Sequence, residues 1–194
     1  IYNREDLLST LEIWDMQLAD YGKKVIERRE KFIEEINGII ASVHQKLTDG
    51  KEQLSLSYEK SNGETELFDA IVKNRDRDIR MKSTSVGPHR DDICFRVGDL
   101  DIRKFGSQGQ QRTAALSLKL SEIELVKMLI KDEPVLLLDD VLSELDKNRQ
   151  HALLDTIKNI QTIVTCTGVE EFVNRRFEIN KIFYVNHGHV NKEN

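Results

Sequence analysis

Two adjacent carboxylates, Asp139 and Asp140, follow the apolar run "PVLLL". Carboxylate oxygens are hard ligands suited to Mg2+, an ion that keeps several waters and shares its shell with phosphate oxygens. A second carboxylate beside such an ion can orient or deprotonate an attacking water. A short apolar run bounded by turn signals reads as a buried strand. Open α/β sheets bind ligands beyond the carboxyl ends of their strands, so the pair would stand at a ligand edge. The plainer alternative is that the pair merely opens a loop, with Asp146 capping the next helix.

A second stretch, "GSQGQQR" from Gly106 to Arg112, precedes a long helical pattern. Helix N-termini present unsatisfied N–H groups and a partial positive charge to anions. Gly109 lacks the side chain that would hold a phosphate away, and Ser107, Gln108, Gln110, Gln111 and Arg112 add donors. By itself the stretch is equally a polar, well-capped surface helix. Ahead of an apolar strand ending in two aspartates, it points to a phosphate-handling site.

These residues need a scaffold. From about Glu5 to Leu47 apolar residues (among them Leu11, Trp14, Leu18, Tyr21, Val25, Phe32, Ile36, Ile39 and Val43) recur every three or four positions with one gap, at Arg28. The spacing predicts one helix, or two in succession, with a narrow seam as in a helical hairpin or coiled-coil arm. Trp14 is expected as a core anchor of that arm. "EQLSLSYEK" alternates as a half-buried strand, and a helix is expected from about Glu64 to Arg80. After "SVGPHRDD", the segments "ICFRV" and "LDIRKF" read as a hairpin about a Gly-Asp turn. A long helix, the strand "PVLLLDD", the helix "KNRQHALLDTIKN", the strand "QTIVTC", the helix "VEEFVNRR" and a closing strand and turn follow. Such alternation predicts α/β architecture with parallel central strands and flanking helices. The expected boundary lies near Thr84, with a helical arm over 1–84 and a lobe over 85–194.

Composition narrows the class. The net charge of -5 means that any nucleic-acid surface must be a local patch. A charged fraction of 32% exceeds the usual ~25% and suits a long solvated helix. No apolar run approaches the roughly 20 residues of a membrane span. Cys94 and Cys166 form no pairing or metal motif, and a cytoplasmic location is expected. The chain begins with Ile1 rather than Met, and the expectation is a fragment or a processed chain.

Taken together, the motifs are recognisable. "GSQGQQR" resembles the signature motif of ABC-type ATPases, "VLLLDD" their Walker B strand, and "SELD" (Ser143 to Asp146) the D-loop. With "SVGPHRDD", the set closely resembles the RecF family of bacterial recombination mediators, relatives of the SMC-type repair ATPases. The resemblance implies the C-terminal lobe of an ABC-type ATPase head with an inserted helical arm. It also implies ATP and Mg2+ as cofactors, with Asp139 the metal-associated carboxylate and Asp140 in the catalytic position, where most ABC ATPases have glutamate. Ser107, Gln108, Gly109 and Gln110 would contact the γ-phosphate of ATP bound to a second subunit. Gln108 replaces the usual glycine there. Ser143 and Asp146 would lie at the homodimer interface. "IVTCTG" places Cys166, between Thr165 and Thr167, where a histidine usually senses the γ-phosphate, so that sensor is absent or replaced by a hydroxyl. The implied function lies in DNA replication, recombinational repair and the SOS response. It combines ATP-dependent dimerisation with binding to single-stranded, gapped or junction DNA, and RecR as a partner in RecA loading.

One element of that machinery is missing. A P-loop needs G-x-x-x-x-G-K-[ST]; Gly22-Lys23 and Gly50-Lys51 lack the flanking residues. The chain alone is therefore expected to bind ATP poorly and to hydrolyse none. Among other residues, His89 and Arg90 match the family on a turn without a derivable role. Arg75 and Arg77, within a cluster with Lys73, Arg80 and Lys82, could meet DNA phosphates or form a solvated face paired with Asp76 and Asp78. The rival readings are another SMC-like repair ATPase head and a non-catalytic interaction scaffold.

Overall fold

The computed structural model describes residues 10–166 and 181–192, and for Ser143 and Glu144 the backbone alone. The expected helix "VEEFVNRR" and Thr167 lie outside the described residues, as does the start of the first helix. The chain divides into two compact units, Ile1–Leu125 and Val126–Asn194.

In the first unit a single helix, α1, runs Leu11–Leu47 without interruption. Its second half follows the expected spacing. Ile33, Ile36 and Ile40 are buried against Leu54 and Leu56 of β1 (Leu54–Glu59), with Ile102, Ala114 and Leu125 completing the core. Strand β1 shows the expected alternation, Leu54 and Leu56 buried and Ser55 and Ser57 exposed. Asn37, in mid-helix, donates from Nδ2 to the Leu56 carbonyl at 2.7 Å and accepts from the Leu56 amide at 2.8 Å. One amide side chain thus satisfies the outer edge of β1, which would otherwise be left unpaired.

The first half of α1 departs from the expected seam. Trp14, Leu18, Tyr21 and Val25 are exposed, Trp14 at 55%, so Trp14 is not the core anchor expected. The buried positions are instead Asp15, Gly22 and Ile26. Helix α2 (Leu67–Met81) sets this phase. Ile26 packs with Leu67, Ala70 and Ile71, and a Cβ on Gly22 would lie 2.7 Å from the Leu67 side chain. Asp15 pairs with Arg75 at 2.6 Å on the same face. Close helix approach through a glycine outweighs the apolar spacing.

Strand β1 pairs antiparallel with β2 (Asp92–Val97), and β2 with β3 (Leu100–Asp101), in the order β1-β2-β3. Strands β1 and β2 pair across residue 84, and the compact units divide after Leu125. Strand β3 stops after two residues, shorter than "LDIRKF" suggested. The Asp101 carboxylate accepts from the Arg103 amide at 3.1 Å and so caps a short helix, α3 (Ile102–Phe105). Arg103 also bridges Asp101, Glu59 and Asp92 at 3.0, 2.9 and 2.6 Å. The guanidinium holds the Asp101 and Glu59 carboxyls below their usual range.

Helix α4, Gln108–Ile130, crosses from the first unit into the second. In the second unit β4 (Leu136–Asp139) pairs in parallel with β5 (Thr162–Thr165). A 3-10 turn at Val141–Glu144 and helix α5 (Lys147–Ile157) connect them. Leu142, Leu153, Leu154 and Ile157 are buried there. A hairpin of β6 (Phe183–Asn186) and β7 (His189–Lys192) turns at His187 and Gly188, both with positive φ. The expected burial of "PVLLL" is only partial: Leu137 is 69% exposed and Ile163, beside it, 56%. Among the described residues β5 is the only strand beside β4, so the pair has open edges. The class is α/β, as expected, with an antiparallel sheet in the first unit and parallel strands in the second. Among the described residues no helix is long and apolar enough to cross a membrane.

Candidate nucleotide site

At the carboxyl end of β4 both aspartates are exposed. The parallel register sets Asp139 opposite Thr165. The Thr165 hydroxyl donates to Asp139 Oδ1 at 2.5 Å and accepts from the Asp140 amide at 3.1 Å, while the Thr165 carbonyl accepts from that amide at 3.2 Å. Thr165 thus fixes one carboxylate by its side chain and the next residue by its backbone. Asp140 has φ 53 and ψ 17, the left-handed region, which Asp and Asn tolerate better than other side-chain-bearing residues. This conformation turns the chain sharply out of the strand. Two exposed, hard oxygen donors at a strand end suit a divalent cation that also meets phosphate. Asp139, oriented by Thr165, is the residue best held to contribute a ligand.

Asp146 has another local task. Its Oδ1 accepts from the Arg149 amide at 3.0 Å, and its Oδ2 pairs with the Arg149 guanidinium. The amide bond holds the Asp146 carboxyl below its usual range. The helix-capping alternative is therefore realised in the fold, whatever else the residue does. Asp146→Ala should lower stability by about 1 kcal/mol, the usual worth of an N-cap, with most of it regained in Asp146→Asn. Chemical denaturation checks this, and an unchanged midpoint in the alanine variant would refute it. Ser143 lies on the 3-10 turn, and its side chain is outside the described residues.

In the first unit, the start of α4 is a reciprocal cap. The Ser107 hydroxyl accepts from the Gln110 amide at 3.2 Å, and Gln110 Oε1 accepts from the Ser107 amide at 2.9 Å. Ser-x-x-Gln is a capping-box pattern, legible in the sequence but not read there. The box leaves the Gln108 and Gly109 amides as the early N–H groups of the helix, ahead of its first i to i−4 bonds. Gly106 carries a further constraint that only the fold reveals. A Cβ there would lie 2.5 Å from the Ile102 carbonyl oxygen, so only glycine permits the tight passage from α3 into the cap. Gln111 Nε2 donates to the carbonyls of Ile102 and Arg103 at 3.0 and 3.1 Å and closes the same junction.

The turn carrying His89 and Arg90 is tied locally. His89 Nε2 lies 3.0 Å from the Thr84 carbonyl, and Arg90 donates to Thr84 O at 3.2 Å and to Ser83 Oγ at 2.8 Å. The Pro88 carbonyl accepts from Arg29 of α1. Next to them Asp91 accepts from Tyr58 Oη at 2.6 Å and from the Ser61 amide at 2.7 Å. Burial acts to raise the Asp91 carboxyl, and these hydrogen bonds outweigh it and hold the group below its usual range. The motif clasps the end of α2, the turn after β1 and the middle of α1. Of the basic cluster, Arg75 is engaged with Asp15, whereas Arg77 is exposed. Glu59, Cys94 and Asp101 gather within 4.8 Å, a metal-like spacing, but Arg103 already neutralises both carboxylates.

No family model matches the chain. Individual relatives do. The chain is 58% identical to the DNA replication and repair protein RecF of Lachnospira eligens over 98% of its own length and 52% of the relative's. It is 56% identical to the protein of that name from Lachnoclostridium phytofermentans, over 97% of the chain and 52% of the relative. A solved structure of the recombination mediator protein RecF-ATP in the RecFOR pathway matches with a TM-score of 0.80 at 34% identity, covering 96% of this chain and 51% of that one. The chain belongs to the RecF family. It spans about half the length of the curated RecF relatives it matches. The match fits the C-terminal part of RecF that the signature and Walker B resemblances imply.

Proposed function

We propose that these 194 residues form the C-terminal half of a RecF-family ATPase of DNA replication and recombinational repair, acting in the cytoplasm. The observation that carries this reading is the end of β4, where Thr165 holds the exposed Asp139 carboxylate by its hydroxyl and the Asp140 backbone amide beside it. Mg2+, when bound, supplies charge neutralisation to the triphosphate. Asp139 would hold the ion, oriented by the Thr165 hydroxyl. Asp140 would hold the attacking water and take its proton. The Gln108 and Gly109 amides and the capped Ser107–Gln110 turn would meet the γ-phosphate of ATP carried by a second subunit. With ATP between the two faces, nucleotide closes a homodimer around single-stranded, gapped or junction DNA, and turnover reopens it. RecR is the partner the resemblance implies. The open edges of the β4–β5 pair among the described residues agree with a sheet continued by the P-loop half of the protein.

Gly109→Asp in the full-length protein tests the signature contact. Near a helix start aspartate favours the dipole, so the fold should be retained, while its charge opposes a phosphate. ATP-dependent dimerisation, followed by sedimentation, should weaken by about tenfold or more, the effect of losing one charge-assisted contact. Unchanged association would remove Gly109 from the site.

A further inference from the structure

A line of hydrogen bonds joins the buried interior of α1 to the α4 cap. His44 is fully buried, and its Nδ1 lies 2.8 Å from Ser117 Oγ of α4. Its Nε2 lies 3.2 Å from Glu52 Oε2, in the loop between α1 and β1. The other oxygen, Glu52 Oε1, accepts from Gln110 Nε2 at 2.9 Å. Gln110 Oε1 in turn accepts from the Ser107 amide. A carboxylate only accepts, so Nε2 carries a proton. The Ser117 hydroxyl also reaches the Thr113 carbonyl at 2.7 Å, so the His44 ring ties the interior of α4 to the loop at Glu52.

The amide orientation of Gln110 follows from this chain of partners. Glu52 demands the NH2 group on its side, which leaves Oε1 for the Ser107 amide and completes the cap. We propose that Glu52, anchored by His44, is a positioning residue that sets the conformation of the Ser107–Gln110 turn. It thereby makes the contact face for a nucleotide depend on the packing of α1 against α4. The link to nucleotide rests on the function proposed above; the positioning itself does not.

The test separates the two. In the 194-residue chain, Glu52→Ala should speed hydrogen exchange of the Ser107 amide by about tenfold, the worth of one net hydrogen bond, and shift the Gln110 side-chain amide resonances. Glu52→Gln, with its oxygen toward Gln110 and its NH2 donating to His44 Nε2 in the tautomer that carries its proton on Nδ1, should restore both. Unchanged exchange and resonances in folded Glu52→Ala would overturn the proposal. Gln110→Met gives a second approach if that variant does not fold: it lacks the acceptor, so Ser107 should again exchange faster, and an unaltered rate there would equally overturn it. In the full-length protein, Glu52→Ala should weaken ATP-dependent dimerisation without changing ATP affinity of the single subunit. Altered exchange with unaltered dimerisation would uphold the positioning role and count against the nucleotide reading alone.

Discussion

Asp140→Asn in the full-length protein should lower ATP turnover by about 100-fold or more, the usual contribution of a positioned base, while leaving ATP-dependent association intact. The substitution isolates chemistry from structure. Asparagine has the same shape as aspartate and tolerates the left-handed conformation at this position. The backbone contacts that hold the turn, from the Asp140 amide to the Thr165 carbonyl and hydroxyl, do not involve the Asp140 side chain. What is lost is the ability to accept a proton from water. Phosphate release measured under single- and multiple-turnover conditions checks the result. Equal turnover would mean that Asp140 only shapes the loop.

Ile36→Ala should remove about 2–5 kcal/mol of stability, the range for deleting a large aliphatic side chain from a packed core. Ile36 and Ile40 are both fully buried. They lie between Leu54 and Leu56 of β1 and the elements beneath, Ile102 and Ala114. The cavity has little freedom to collapse, because Asn37 beside it pins β1 through two backbone hydrogen bonds. Domains hold only about 5–15 kcal/mol in total, so this single change approaches the threshold of unfolding. Urea denaturation should show a lower midpoint with an unchanged slope, and Ile36→Val should cost about 0.5–1.5 kcal/mol. A loss below the valine range in the alanine variant would show that α1 is not a core helix.

The sequence made element types and the β4 edge legible because both rest on local rules. Apolar spacing marked α1 and α4, alternation marked β1, and an apolar run ending in two aspartates marked β4. Helix phase was not legible where packing decides it: Trp14, Leu18 and Tyr21 match the apolar spacing, yet Gly22 and Asp15 face α2. Strand β3 was read too long because Asp101 serves as a cap only once Arg103 folds back on it. At the signature turn Gly106 has no local signal, since its constraint comes from the Ile102 carbonyl. The chain of partners through His44 and Glu52 had no sequence signal, since 58 positions separate Glu52 from Gln110. Thr165 is read in the sequence as a hydroxyl in place of the sensing histidine; parallel pairing is what brings it to Asp139.

The central claim is that one subunit's signature turn and another's carboxylates serve the same ATP. It is tested most directly by mixing two inactive full-length variants, Gly109→Asp and Asp140→Asn, and measuring ATP turnover. In a closed two-fold dimer with random exchange, half the dimers are mixed and each has one intact site of two, so the mixture should regain about a quarter of the unmodified rate. Turnover no higher than that of either variant alone, under conditions where subunits exchange, would contradict the account.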